Sequence, residues 1–163
     1  MKPGGLRKDA VNLALFAFYL YVLFKIILFK FGPVNLRFLW RQLAMGSVQA
    51  EDIAVSLHHG NLIPLKEIFR SLHVLSAHDL INLAGNIAIF MPLGIFVGIF
   101  SKNKRISLAG MFLRAFGLSL ILELSQALFS IGRFDIDDLI LNSAGGLIGY
   151  MGYKLFGRLS VRI

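Results

Sequence analysis

Apolar residues fall into four long runs, at about residues 10–31, 80–100, 106–129 and 137–156, with polar positions gathered between the runs and at their ends. About twenty predominantly apolar residues are what a helix needs to cross the hydrocarbon of a bilayer. The pattern therefore predicts an all-α membrane protein, one domain over residues 1–163 with about four transmembrane helices. Residues 32–79 are too polar to span, and too broken by Gly32, Pro33, Gly46, Gly60 and Pro64, so they are predicted to form a substantial loop. Inside that loop, Leu65, Ile68, Phe69, Leu72 and Leu75 share one helical face while Lys66, Glu67, Arg70 and His73 lie elsewhere. Pro64 suits the first position of such a helix. This is an amphipathic helix lying on the membrane or on the bundle. Residues 35–43, with Arg37, Phe38, Trp40 and Arg41, have a similar interfacial character with weaker periodicity.

Polar residues inside the apolar runs are more informative. Glu123 and Gln126 are three apart, and Asp135, Asp138, Asn142, Gly145 and Gly149 step by three, four, three and four, so each set forms one helical stripe. The two stripes face each other across the short turn 130–133, where Gly132 supplies backbone freedom. Asp79, Asn82 and Asn86 make a third stripe at the start of the second run. Pro92 lies within that run and frees a carbonyl that a neighbour must satisfy, which predicts a kink. Gly94 and Gly98 offer a surface for close helix approach.

Hydrophobic residues make up 56% of the chain, with 15 Phe, more than a soluble core of this size hides. The formal charge of +8 resides in short clusters beside apolar runs, as at membrane flanks, and this argues against nucleic acid as a partner. The chain has no cysteine, so it has neither a disulfide framework nor thiol chemistry. The first apolar run is too long for the core of a signal peptide and is expected to be a retained span. With both termini in the cytoplasm, Lys2, Arg7, Lys8, Lys102, Lys104, Arg105, Lys154, Arg158 and Arg162 all lie inside. The same orientation carries all three polar stripes and the loop 32–79 to the outer side. Glu123 then sits about six residues, or roughly 9 Å, below the outer surface. A carboxylate there costs on the order of a few kcal/mol unless paired, hydrated or protonated, and so marks a functional site.

These residues resemble the VanZ-like family of bacterial membrane proteins. The resemblance rests on Asn61, Ile63 and Pro64; on Asn82, Asn86, Phe90, Pro92 and Gly94; on Glu123 and Gln126; and on the run Arg133, Phe134, Asp135, Asp138, Asn142, Gly145, Gly146 and Gly149. It covers roughly residues 60–155, and its combined spacings are specific where each alone is weak. It implies a multi-pass protein of the bacterial cell membrane and a contribution to resistance against teicoplanin, a lipidated glycopeptide antibiotic.

Two kinds of chemistry fit the polar stripes. In recognition, Asn82, Asn86, Gln126 and Asn142 supply amide donors and acceptors and Arg133 a planar fork for phosphate or carboxylate. Such a pocket suits a membrane lipid, a lipid-linked cell-wall precursor or a lipoglycopeptide. In catalysis, an intramembrane enzyme would modify an envelope lipid or precursor with Glu123 as general base and Asp135 and Asp138 as acid partners or ligands of a divalent cation. A small transporter fits less well, because no polar stripe continues to the inner leaflet.

Structural readings stand beside these. Arg133 can pair with Asp135, Asp138 or Glu123 to fix the hairpin, and the asparagines can link helices. Asp137, offset from the stripe, is expected to be solvated or to cap its own helix. Gly145, Gly146 and Gly149 are expected in packing. His58, His59, His73 and His78 match no metal spacing.

Overall fold

The computed structural model describes residues 3–29, 37, 40–41, 56, 58–101, 106–129 and 131–160. Five helices account for most of them: α1 Pro3–Phe29, α2 Lys66–Val74, α3 Ala77–Ser101, α4 Leu108–Leu128 and α5 Ile136–Ser160. The helices coincide with the expected runs to within a few residues, apart from α1, which begins earlier. Most of 35–43 and the basic turn at 102–105 lie outside the described residues.

Among the described residues, three helices are long and apolar enough to cross a membrane, namely Arg7–Phe29 within α1, Ala77–Ser101 and Leu108–Leu128. Their outward side chains show why: Leu13, Phe18, Tyr21, Leu113 and Ile121 are all more than half exposed, which water would penalise and lipid does not. The fourth expected span, α5, has the same 25 residues as α3 but a more polar composition. Among the described residues, three helices are of lipid-like composition and the fourth long one, α5, is more polar where it packs against its neighbours.

That neighbour is chiefly α3. A Cβ on Gly145 would run into the carbonyl of Ile87, one on Gly149 into the carbonyl of Met91, and one on Gly94 would lie 2.5 Å from the Tyr150 amide nitrogen. Gly98 meets the ring of Tyr153 in the same way. The matched order along both chains makes α3 and α5 parallel and in backbone contact, an approach only glycine allows. The expected packing role of these glycines is thus realised within one chain. A Cβ on Gly146 would meet Ala115 of α4, which runs antiparallel to both.

The apolar core gathers Tyr19 and Leu23 of α1, Phe90 and Leu93 of α3, Met111, Ala115 and Leu122 of α4, and Tyr150 of α5. At the far end Phe16 meets Phe96 and Phe100 with ring centroids 5.3 and 5.4 Å apart. Tyr19 Oη donates to the carbonyl of Ile89 at 2.9 Å and also meets the amide of Leu93, placing a polar partner from α1 in the turn that holds Pro92. α3 remains helical through that proline. Ser107 opens α4 by accepting from Gly110 N at 3.0 Å. Beyond it, Tyr150 Oη and Lys154 Nζ both donate to Ile106 O, at 2.7 and 3.2 Å.

These contacts fix the direction of every helix. The ends of α1 and α4 and the beginnings of α3 and α5 share one end of the bundle. The start of α1 and the end of α5 lie at the other.

Candidate functional site

The shared end encloses an open cavity of about 1290 Å³. Asn82 and Asn86 of α3, Glu123 and Gln126 of α4, Arg133 and Asp135 of the turn, and Asp138 and Asn142 of α5 all line it. Eight residues singled out from sequence are therefore neighbours in space. Their individual contacts divide them into groups that hold the bundle and groups that face the opening.

The turn is locked to the loop before α2. Asn61 and Asp135 form an isolated parallel bridge, with Asn61 N donating to Phe134 O and Ile136 N to Asn61 O, both at 2.9 Å. Asn61 Nδ2 also donates to Asp135 Oδ1 at 2.9 Å, and the amide of Asp137 donates to the same oxygen at 2.9 Å. The amide of Asp135 in turn donates to Glu123 Oε2 at 3.1 Å. Burial holds the Asp135 carboxyl above the usual carboxylate range, more than its bond from Asn61 lowers it.

Asp137 overturns its expected role. It is 1% exposed, neither solvated nor capping its own helix. Its Oδ1 accepts from Leu65 N at 2.5 Å and its Oδ2 from Glu67 N and Ile68 N at 2.7 and 3.1 Å. α2 needs this, because its N-cap is Leu65, in the left-handed region at φ 68° and without a side-chain cap of its own. An acid from α5 thus caps a helix about seventy residues earlier in the chain. Pro64 lies ahead of the helix rather than at its first position. The signal for Asp137 was a missing one, a helix start with no Ser, Thr, Asp or Asn.

Capped in this way, α2 presents its polar side inward: Ser71 is buried, and Lys66, Glu67 and Arg70 line the cavity. Its apolar side, Phe69, Leu72 and Leu75, is exposed together with Leu62 and Ile63. The amphipathic helix is present, but its apolar face does not lie on the bundle.

The amides mostly link helices. Gln126 Nε2 donates to Ile27 O of α1 at 2.6 Å, Asn86 Nδ2 to Asp138 Oδ1, and Asn142 Nδ2 to Ser119 Oγ at 2.8 Å. Asn142 Oδ1 is buried without a hydrogen-bond partner among the described residues, a state that costs about 1–3 kcal/mol. Asn82 is exposed and approaches His78 at 3.4 Å. Arg133 is exposed and makes no ion pair among the described residues, so the expected pairing within the hairpin is not formed there. Arg70 pairs with Glu67 at 2.5 Å, and His78 approaches Asp79 at 3.7 Å. Among the described residues no three His, Asp or Glu side chains converge as ligands for a metal. Asp135 and Asp138 are instead engaged by Asn61 and Asn86.

Comparison with known proteins places this geometry. The chain is 38% identical over 72 residues to protein VanZ of Enterococcus faecium, an alignment covering 44% of this chain and 42% of that protein. The match therefore spans less than half the length of that relative. No solved structure matches. The model of the VanZ/LLP1 family matches residues 16–157, which takes in four of the five helices almost whole, the Asn61–Asp135 bridge, Asp137 with its partners on α2, and the eight cavity residues. By that match, the chain, with its helical bundle and polar cavity, belongs to the VanZ/LLP1 family.

Proposed function

We propose that the protein binds the polar head of a membrane amphiphile in this cavity, on the outer side of a bacterial cell membrane, and thereby lowers susceptibility to lipidated glycopeptides such as teicoplanin. One observation carries the reading. A cavity lined by amides, acids and Arg133 adjoins the exposed apolar face formed by Leu62, Ile63, Phe69 and Leu72. An amphiphile needs those two surfaces side by side, the polar one for its head and the apolar one continuous with the bilayer. The ligand is an envelope lipid, a lipid-linked cell-wall precursor or the lipoglycopeptide itself. The start of α1 and the end of α5 lie away from the cavity, in keeping with cytoplasmic termini and an outward-facing mouth.

Membrane-protein status and family membership support this setting. An enzymatic reading, with Glu123 as base, is the weaker one, because Asp135 and Asp138 accept hydrogen bonds from Asn61 and Asn86 and serve the architecture. The test is teicoplanin and vancomycin susceptibility of a sensitive Gram-positive host expressing the wild-type protein or Glu123→Gln, at matched membrane abundance. Protection against teicoplanin that the variant loses is the expected result. No protection by either protein would remove the resistance reading.

A further inference from the structure

Among the described residues, three glycines have open space where a Cβ would stand: Gly85, Gly117 and Gly152. The glycines that join α3 to α5 have no such space, because backbone packing fills it. Of the three, Gly85 alone lines the cavity. Its helical face continues through Ile81, four residues before it, and Ala88, three residues after it. All three are exposed and line the same space. The cavity is therefore open sideways along α3 as well as at its mouth.

The wall facing Gly85 comes from α1, which runs antiparallel to α3. Tyr19 Oη donates to Ile89 O at 2.9 Å and closes the gap between the two helices at that level. Beyond Tyr19, α1 is tied to α4 instead, with Ile27 O accepting from Gln126 Nε2 at 2.6 Å, and both Ile26 and Ile27 line the cavity. Eight residues separate Tyr19 from Ile27 and Ile81 from Ile89, so a groove of roughly 12 Å runs between the helices. Ile26, Ile27, Ile81, Gly85 and Ala88 bring no polar side chain to it. Asn82 and Asn86 lie on the neighbouring face of α3, with Asn86 bonded to Asp138 of α5. One helix thus presents a polar edge and an apolar edge to the same cavity, side by side.

Gly85 lies eight residues, about 12 Å, inside a helix of membrane-spanning composition. At that depth a concave apolar wall open to its side is filled by hydrocarbon in preference to water. A head group held by the cavity amides has this groove next to it. We infer that the groove between α1 and α3 seats one hydrocarbon chain of the amphiphile, lying beside Gly85 with the Tyr19–Ile89 contact as its far limit. This rests on the amphiphile-binding reading above and adds a chain subsite to it. A side chain at position 85 would occupy the groove without meeting the protein, whereas one at Gly149 would enter the Met91 carbonyl. Position 85 is therefore a place where binding can be blocked and the bundle left intact.

The test uses the full chain in detergent, titrated with lauroyl lysophosphatidylglycerol and lauroyl lysophosphatidylethanolamine and read by native mass spectrometry. Wild-type protein is expected to bind at least one of them saturably, one molecule per chain. Gly85→Phe should keep the wild-type melting temperature and weaken that binding at least tenfold. Gly117→Phe fills open space outside the cavity and should change neither. Unchanged binding by Gly85→Phe, or equal weakening by both variants, overturns the chain subsite and leaves amphiphile binding standing. No saturable binding by the wild type overturns both this inference and the reading beneath it. Should Gly85→Phe fail to fold, a lauroyl chain carrying a terminal diazirine decides on the wild-type protein. Its photo-adducts should concentrate on residues 19–27 and 81–89 over the outward side chains of α4, Leu113 and Ile121. An even spread overturns the subsite.

Discussion

The two ends of the bundle are built on different principles. Towards the chain termini, α3 and α5 touch backbone to backbone through Gly94 and Gly149, Gly98 lies under the ring of Tyr153, and aromatic rings of α1 and α3 fill what remains. At the cavity end, side chains reach across space: Asp137 to the backbone of α2, Gln126 to that of α1, and Asn61 to the Asp135 carboxylate of the turn. Backbone contact leaves no room for a ligand and tolerates no added atom. Side-chain bridging holds the helices apart, and the cavity is the result. Close packing and the open cavity are thus allotted to separate halves of one short bundle, with the glycine contact letting the other half stay open.

The contrast breaks first at the glycines. Gly149→Leu drives a side chain into the Met91 carbonyl, which cannot move without unwinding α3. The expected cost exceeds about 3 kcal/mol, seen as loss of monodisperse protein on extraction. A variant that melts with the wild type would show that the helices can separate without harm.

Asp137→Asn should cost less, about 2 kcal/mol, by weakening three charge-assisted bonds to α2. Hydrogen exchange at Glu67 and Ile68 should quicken while that at Met91 and Leu93 stays slow. Equal quickening everywhere would mean that the two halves are not separable.

A gentler probe sharpens the picture of α2. The sequence contains one tryptophan, so Phe69→Trp in a Trp40→Phe background reports on that face alone. In liposomes its emission should be blue-shifted, with quenching strongest for bromines about 5–10 Å into the headgroup and acyl boundary. Water-like emission would put the apolar face somewhere other than lipid.

The smallest effect concerns pH. The Asp135 carboxyl is raised in the folded protein, chiefly by burial. Folding therefore favours the protonated form, and stability falls as pH rises from the unfolded value through the folded one. Asp135→Asn keeps an oxygen for Asn61 and removes the charge. It should flatten the acid limb of a melting-temperature profile and slightly raise stability at neutral pH. An unchanged profile would show that the carboxylate is well solvated.

Much of this was legible from the residues. Helix lengths follow from apolar runs, and the three-and-four spacing of Asp138, Asn142, Gly145 and Gly149 places them on one face, as found. The eight site residues also meet at one end, because polar groups within apolar runs concentrate at matching ends of consecutive helices. Asp137 was not legible: an acid in a first turn is locally explained by its own helix, and its true partners lie some seventy residues away. The orientation of α2 was hidden for a different reason. Amphipathicity distinguishes two faces, but beside a bilayer both protein and surroundings offer apolar contact, so periodicity does not say which face turns inward.

The sequence by itself determined the class, the helices and the identity of the polar stripes, since these depend on local spacing and on transfer from water to lipid. Only the tertiary structure decided which amides link helices and which oxygen is left over. It also decided that α5 trades apolar surface for contact with α3, and that Arg133 stays clear of the hairpin acids. Each of these depends on distances between residues far apart in the chain, which helical periodicity does not encode.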